Sequence, residues 1–172
     1  MSKRDLKKYL AGLTKPQVED QLLELYDKFS DVKTYYDFVF NPKEDKLIQE
    51  SKSKIANEYF PLKSKRAKLR RSTAQKYIKH FLVLGVDPHS ITDVMLFNIE
   101  TAQRYAAKKE MRYSSFYKSI LNSYEQAIKF AEDQGILKDF HQRMQTVALE
   151  ANRQKWENSA SFEQMLSSFI TE

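Results

Sequence analysis

The sequence contains no cysteine, and only three of its 172 residues are glycine and four are proline. The absence of cysteine excludes disulfides, thiol nucleophiles, iron–sulfur clusters and cysteine-ligated zinc. Three glycines are also too few for the glycine-rich phosphate loops of nucleotide-binding enzymes. Because tight turns depend on glycine and proline, their scarcity favours long helices that are joined by short connections.

Long apolar runs are missing as well. No stretch approaches the roughly 20 apolar residues that a membrane-spanning helix needs. The first ten residues, MSKRDLKKYL, are charged and lack the apolar segment of a secretory signal. We therefore expect a cytoplasmic protein that has no membrane segment.

The sequence shows no recognisable catalytic or metal-binding pattern. Its three histidines, His80, His89 and His141, are not spaced as a ligand pair. We expect no metal, no cofactor and no catalytic residues, and we predict that the protein is not an enzyme. An enzyme would have to gather carboxylates from several helices, which a sequence does not reveal.

Apolar residues recur at helical spacing along almost the whole chain, and no segment alternates as a strand would. Side chains that can cap a helix mark several starts, as at Ser2, Thr14 and Asn41–Pro42. The pattern predicts an all-α fold, a single irregular antiparallel bundle of about eight or nine helices. Because no second core is visible, we expect one domain over residues 1–172, with a basic loop inserted at residues 61–71.

Positive charge is concentrated in one part of the chain. Eight of the 29 basic residues lie between Pro61 and Phe81, where there is no acid, and the other 21 face 23 acidic residues. Arg70 and Arg71 precede the expected helix start at Ser72, where free N–H groups already carry partial positive charge. Two arginines are unfavourable there unless a ligand such as phosphate offsets the charge.

We therefore predict that residues 63–79, the basic segment, contact an anionic partner, with nucleic acid as the first candidate. Arg70, Arg71 and the helix start at Ser72–Thr73 would hold phosphate, and the other cations would add non-specific attraction. Two alternatives stay open: the segment is merely solvated, or it meets an acidic protein. The predicted binding residues are Lys63, Lys65, Arg66, Lys68, Arg70, Arg71, Ser72, Thr73, Lys76 and Lys79.

The C-terminal stretch SFEQMLSSFI indicates a different kind of function. It is strongly amphipathic, so its apolar side could dock on a partner protein or on the chain's own body. A protein–protein interaction scaffold is therefore the alternative to a nucleic-acid-binding protein. The side chains that would meet the protein partner are Phe162, Met165, Leu166 and Phe169.

The stretch YYDFVFNPKEDKL, residues 35–47, is rich in aromatic and acidic residues. We interpret it as a helix corner rather than as a pocket, since Asn41 and Glu44 fit a capped helix start. Together with MSKRDLKKYL and LGVDP, this stretch resembles an uncharacterised bacterial all-helical family known only as a domain of unknown function. The resemblance implies a small helical domain over nearly the whole chain and implies no activity or binding residue.

Overall fold

The computed structural model of the protein describes residues 2–63, 66–109 and 111–169. Within these ranges the chain forms nine α-helices and no strand, so the all-α prediction and the expected number of helices are confirmed. None of the described helices is both long enough and apolar enough to cross a membrane. The helices are α1 (Lys3–Ala11), α2 (Lys15–Lys28), α3 (Ser30–Phe40), α4 (Glu44–Tyr59), α5 (Arg71–Leu84), α6 (Pro88–Ala106), α7 (Ser114–Asp133), α8 (Leu137–Arg153) and α9 (Ser159–Ser168).

The chain divides into two compact units, residues 1–43 and residues 44–172. In the first unit, α2 and α3 form a hairpin in which the Tyr26 hydroxyl donates a hydrogen bond to Asp37 at 3.0 Å. None of the described residues of α1, α2 and α3 is buried. The expectation of one domain over the whole chain stays a prediction.

The core of the second unit is built around α6. Eleven of its nineteen residues are buried, and α4, α5, α7 and α8 all pack against it. A helix that is buried on most sides has to satisfy its polar groups internally. Accordingly, the buried Gln103 side chain donates to the carbonyl oxygen of Val147 at 2.8 Å. This contact fixes α6 against α8, and the basic segment extends from the same unit.

The last helix, α9, packs on the body of its own unit, against α7 and α8. Phe162 is fully buried, and its ring centroid lies 5.0 Å from that of Tyr124. Leu166 is also buried, while Met165 and Phe169 are half-buried. Phe162 and Leu166 are therefore not available to a partner protein, because the core of their own unit already covers them. The prediction that all four residues meet such a partner is corrected to this extent.

Candidate nucleic-acid interface

The loop between α4 and α5 is organised by a buried acid, Glu58, whose side chain is 8% exposed. The Arg70 guanidinium donates to both carboxylate oxygens of Glu58, from Nε at 3.1 Å and from Nη2 at 2.8 Å. The backbone amides of Lys68 and Leu69 donate to the Glu58 carbonyl oxygen at 2.9 and 3.1 Å. Glu58 therefore fixes the path of the chain into α5, which begins at Arg71.

Glu58 also brings negative charge to a helix start that has no acid nearby in sequence. The hydrogen bond from Arg70 lowers the pKa of the Glu58 carboxyl, and a weaker hydrogen bond from Thr73 acts in the same direction, although burial opposes both. The carboxylate therefore remains ionised at neutral pH and offsets the charge of Arg70. Because this guanidinium is already occupied, the geometry supports a positioning role for Arg70 in the loop.

The described lysines of the basic segment lie on the surface of the second unit. Lys63, Lys68, Lys76 and Lys79 are exposed, and the salt bridges found among the described residues use other lysines. Exposed, unpaired ammonium groups are suited to attract a polyanion without selecting its sequence. Of the other predicted residues, Arg66 and Ser72 are exposed, Thr73 is half-buried, and Lys65 lies outside the described residues.

Arg71 is placed differently from Arg70. It is half-buried, and its side chain makes no salt bridge or hydrogen bond with any other residue that the structure describes. Arg71 borders a cavity of about 230 Å³ together with Leu69, Tyr113 and Ser115. An arginine that is partly desolvated and unpaired is ready to bind a carboxylate or phosphate from outside the chain.

The same cavity lies beside the starts of two helices. Arg71 is the first residue of α5, and Tyr113 directly precedes α7. Neither helix has a side-chain cap from its own N-cap residue. At the start of α5 the Glu58 carboxylate already accepts from the Arg70 amide at 3.4 Å, so the partial positive charge that is available to an anion beside Arg71 is that of the α7 start. The Tyr113 side chain is 73% exposed and offers an aromatic face for stacking. The cavity thus combines groups that suit phosphate with a group that suits a base.

Burial of Tyr59, which also borders this cavity, raises the pKa of its hydroxyl to about 12, and the nearby charge of Glu58 adds to the effect. The phenol therefore stays neutral at physiological pH and does not repel an anion. Within the described ranges no group of three or more histidines and acids is placed to hold a metal ion. The chemistry that this cavity offers is therefore an arginine for an anion and a tyrosine ring for stacking on a base.

A second set of cations, the α6 cluster, was missed by the sequence analysis. It consists of Arg104, Lys108, Lys109 and Arg112, in the stretch RYAAKKEMR at the end of α6 and after it. Lys108 lies 5.4 Å from the centroid of the Phe60 ring, at the beginning of the basic loop. Glu110 interrupts these cations in the sequence, so the stretch is less distinct than the acid-free run of the basic segment.

One exposed aromatic side chain, Phe60, lies among the cations of this surface and packs on the buried ring of Tyr105. The Phe60 and Tyr105 rings are 5.8 Å apart, and Lys109 lies 5.6 Å from the Tyr105 ring centroid. A further cavity, of about 420 Å³, is bordered by Phe60 and Lys108, and also by Arg153, whose guanidinium is paired with Glu150 in the same lining. Cations beside an exposed aromatic ring are a feature of surfaces that bind unpaired nucleic-acid strands.

The fold and this surface together define an all-helical protein with a basic, aromatic-lined surface and a small cavity at two helix starts. Residues 1–170 match DUF6155, a family of unknown function, and the chain belongs to that family. The resemblance to a family of unknown function is thereby confirmed. A search of curated proteins finds no match, and a search of solved structures finds none either. Membership of a family of unknown function carries no activity over to this chain.

Proposed function

We propose that the protein is a non-enzymatic cytoplasmic protein that binds single-stranded nucleic acid. The observation that carries the proposal is the cavity that both Arg71 and Tyr113 border. In this proposal Arg71 holds a backbone phosphate and Tyr113 stacks on the adjacent base. The exposed lysines of the basic segment and of the α6 cluster add non-specific attraction for the strand.

The size of the cavity favours an unpaired strand over a duplex. A volume of about 230 Å³ accepts a single base or phosphate group and is too small for a double helix. Stacking on Tyr113 requires a base whose face is free, and paired bases hide their faces inside the duplex. Arginine and aromatic side chains together also carry no pattern for a particular base, so we expect little sequence preference.

The proposal is tested by fluorescence anisotropy with labelled single-stranded RNA, single-stranded DNA and double-stranded DNA. We expect the single strands to bind more tightly, with an affinity that falls steeply between about 50 and 200 mM salt. Arg71→Ala should weaken binding about tenfold and reduce the log–log salt slope by about one. Tyr113→Ala should weaken binding by a similar factor without changing that slope, because the ring carries no charge.

Lys138→Ala is the matched control for the loss of one positive charge. Lys138 is exposed at the start of α8, outside the basic segment and the α6 cluster, so we expect its removal to leave the affinity nearly unchanged. Absence of binding to all three probes at about 50 mM salt would reject the proposal. The basic segment would then be a solvated surface or a site for an acidic protein. Equal losses for all three variants would indicate a diffuse attraction without a defined site.

A further inference from the structure

The helices of the first unit expose an unusual amount of apolar surface. Ten large apolar side chains in α1, α2 and α3 and at their junctions are each at least 37% exposed, and Phe40 reaches 81%. A unit of about 40 residues rarely builds a sufficient core without disulfides, metals or association with another chain. The sequence has no cysteine, so disulfides do not stabilise this unit, and exposed apolar surface of this extent marks a site of association.

Some of these exposed side chains line a groove in the α2–α3 hairpin. A cavity of about 310 Å³ is bordered there by Leu22, Leu23, Tyr26, Tyr36 and Phe40. The Tyr36 and Phe40 rings stack with their centroids 6.0 Å apart, so one wall of the groove is already ordered. An apolar groove between two helices is the kind of surface on which a third amphipathic helix docks.

Helix α1 has the properties that such a groove requires. Its residues Leu6, Tyr9 and Leu10 follow one another at helical spacing and are 45%, 51% and 37% exposed. The rest of α1 is basic, with four cations and one acid, while α2 and α3 together carry three cations and six acids. Helix α1 therefore offers an apolar stripe to an apolar groove, and its charge of +3 is complementary to the −3 of α2 and α3 together.

We propose that α1 of one chain lies in the α2–α3 groove of a second copy, so that two chains form a symmetric dimer. Within one chain, α1 is joined to α2 by a short connection and meets it at Gln21, whose side chain donates to the Tyr9 hydroxyl at 2.6 Å. This contact leaves the groove at Leu22–Phe40 open. Since each chain has one helix to offer and one groove to fill, two copies satisfy each other in a closed arrangement. This inference is independent of nucleic-acid binding.

The test is the mass of the full chain in solution, measured by sedimentation equilibrium from about 1 to 100 µM. We expect a dimer, and we expect Leu6→Glu and Phe40→Glu each to raise the dissociation constant at least about tenfold. Circular dichroism checks that the helices remain. Val83→Glu is the matched control, because Val83 is also an exposed apolar residue, 63% exposed, but lies in α5.

Charge reversal identifies the occupant of the groove. Lys7→Glu with Lys8→Glu makes α1 acidic, and Glu24→Lys with Asp27→Lys makes the hairpin basic. Each double variant alone brings like charges together and should dissociate, whereas an equimolar mixture should form heterodimers in which both contacts are complementary. A wild-type chain that stays monomeric at about 100 µM would overturn the inference. A dimer that ignores Phe40→Glu, or variants that do not recombine, would overturn it equally.

Discussion

Glu58 is the residue whose environment decides how the start of α5 behaves. A buried carboxylate is costly unless donors surround it, and Glu58 has the Arg70 guanidinium and the Thr73 side chain. Leu69 next to them adopts a left-handed conformation with φ 54°, which is uncommon for a branched side chain. The hydrogen bonds to Glu58 therefore hold a loop that the backbone alone would not favour.

The first prediction at this scale concerns Glu58→Gln, which keeps the size of the side chain and removes its charge. We expect the free energy of unfolding at pH 7 to fall by about 1–3 kcal/mol, since a charged acceptor of two guanidinium hydrogen bonds is lost. Urea unfolding measures the change. Glu132→Gln, at an exposed position late in α7, should have almost no effect.

The effect should also depend on pH. Because Arg70 lowers the pKa of Glu58 in the folded chain, the unfolded chain binds a proton more readily. The stabilisation by Glu58 is therefore fully present above its ordinary pKa of 4.5 and is lost as the pH falls through the folded value. The difference between wild type and Glu58→Gln should shrink below about pH 4.5. A difference that stays constant down to about pH 3 would contradict this account.

The pairing of Arg70 with Glu58 could not be predicted from the sequence. Arg70 and Arg71 visibly need a negative charge, but Glu58 lies twelve positions before Arg70, and nothing in the spacing shows that the loop returns to it. The prediction that phosphate offsets both arginines therefore becomes a proposal for Arg71, which is unpaired among the described residues. Tyr113 was missed for a related reason, since its place beside Arg71 depends on the packing of α7 near α5.

At the scale of helices, one ion-pair network joins α4, α6 and α8. Arg143 of α8 donates to Glu100 at 2.6 and 2.9 Å and to Asp93 at 2.6 Å, and Lys52 of α4 also pairs with Asp93. Burial disfavours the charged form of Asp93, but Lys52 and Arg143 together hold its pKa below the ordinary value. About a third of each Arg143, Asp93 and Glu100 side chain is exposed, so solvent screens part of the attraction.

The prediction for this network is made on Arg143→Met, which keeps the aliphatic length and removes the shared cation. We expect a loss of about 2 kcal/mol in the free energy of unfolding, below the range for fully buried pairs because the network is partly exposed. Lys52→Met should cost less, since Arg143 still serves Asp93. Urea unfolding of both variants checks the order, and an equal or reversed cost would show that Arg143 is not the centre of the network.

The helices themselves were largely readable from the sequence because helix starts depend on local contacts. The expected capping box at Thr14 is present, with the Thr14 amide donating to Gln17 at 2.9 Å. Asn41 behaves otherwise: its amide donates back to the Asp37 carbonyl at 3.2 Å, so it ends α3, and α4 begins only at Glu44. A polar residue between two helices can end the first or cap the start of the second, and sequence spacing does not show which of the two it does.

For the whole molecule, most of the exposed large apolar side chains lie in residues 1–43, whereas most of the surplus positive charge lies in residues 44–172. Residues 1–43 carry eight cations and seven acids and hold ten exposed large apolar side chains, whereas residues 44–172 carry a surplus of five positive charges. A nearly neutral apolar surface favours association with a similar surface, and a cationic surface favours a polyanion. The two proposals therefore draw on different parts of the chain and can be varied independently.

Their combination gives a last prediction. If the chain is a dimer and each copy binds a strand, a long strand can reach both basic surfaces, and the second contact becomes intramolecular. The monomeric variant Phe40→Glu should then bind a strand of about 8 nucleotides as tightly as wild type, because one site is filled in either case. On a strand of about 60 nucleotides it should bind roughly 10- to 100-fold more weakly than wild type, because the second, intramolecular contact is lost.

Anisotropy with both strand lengths at one salt concentration measures the ratio of the two affinities. An equal loss on both lengths would place Phe40 in the binding surface itself, and no loss on either would show that the two activities are unconnected.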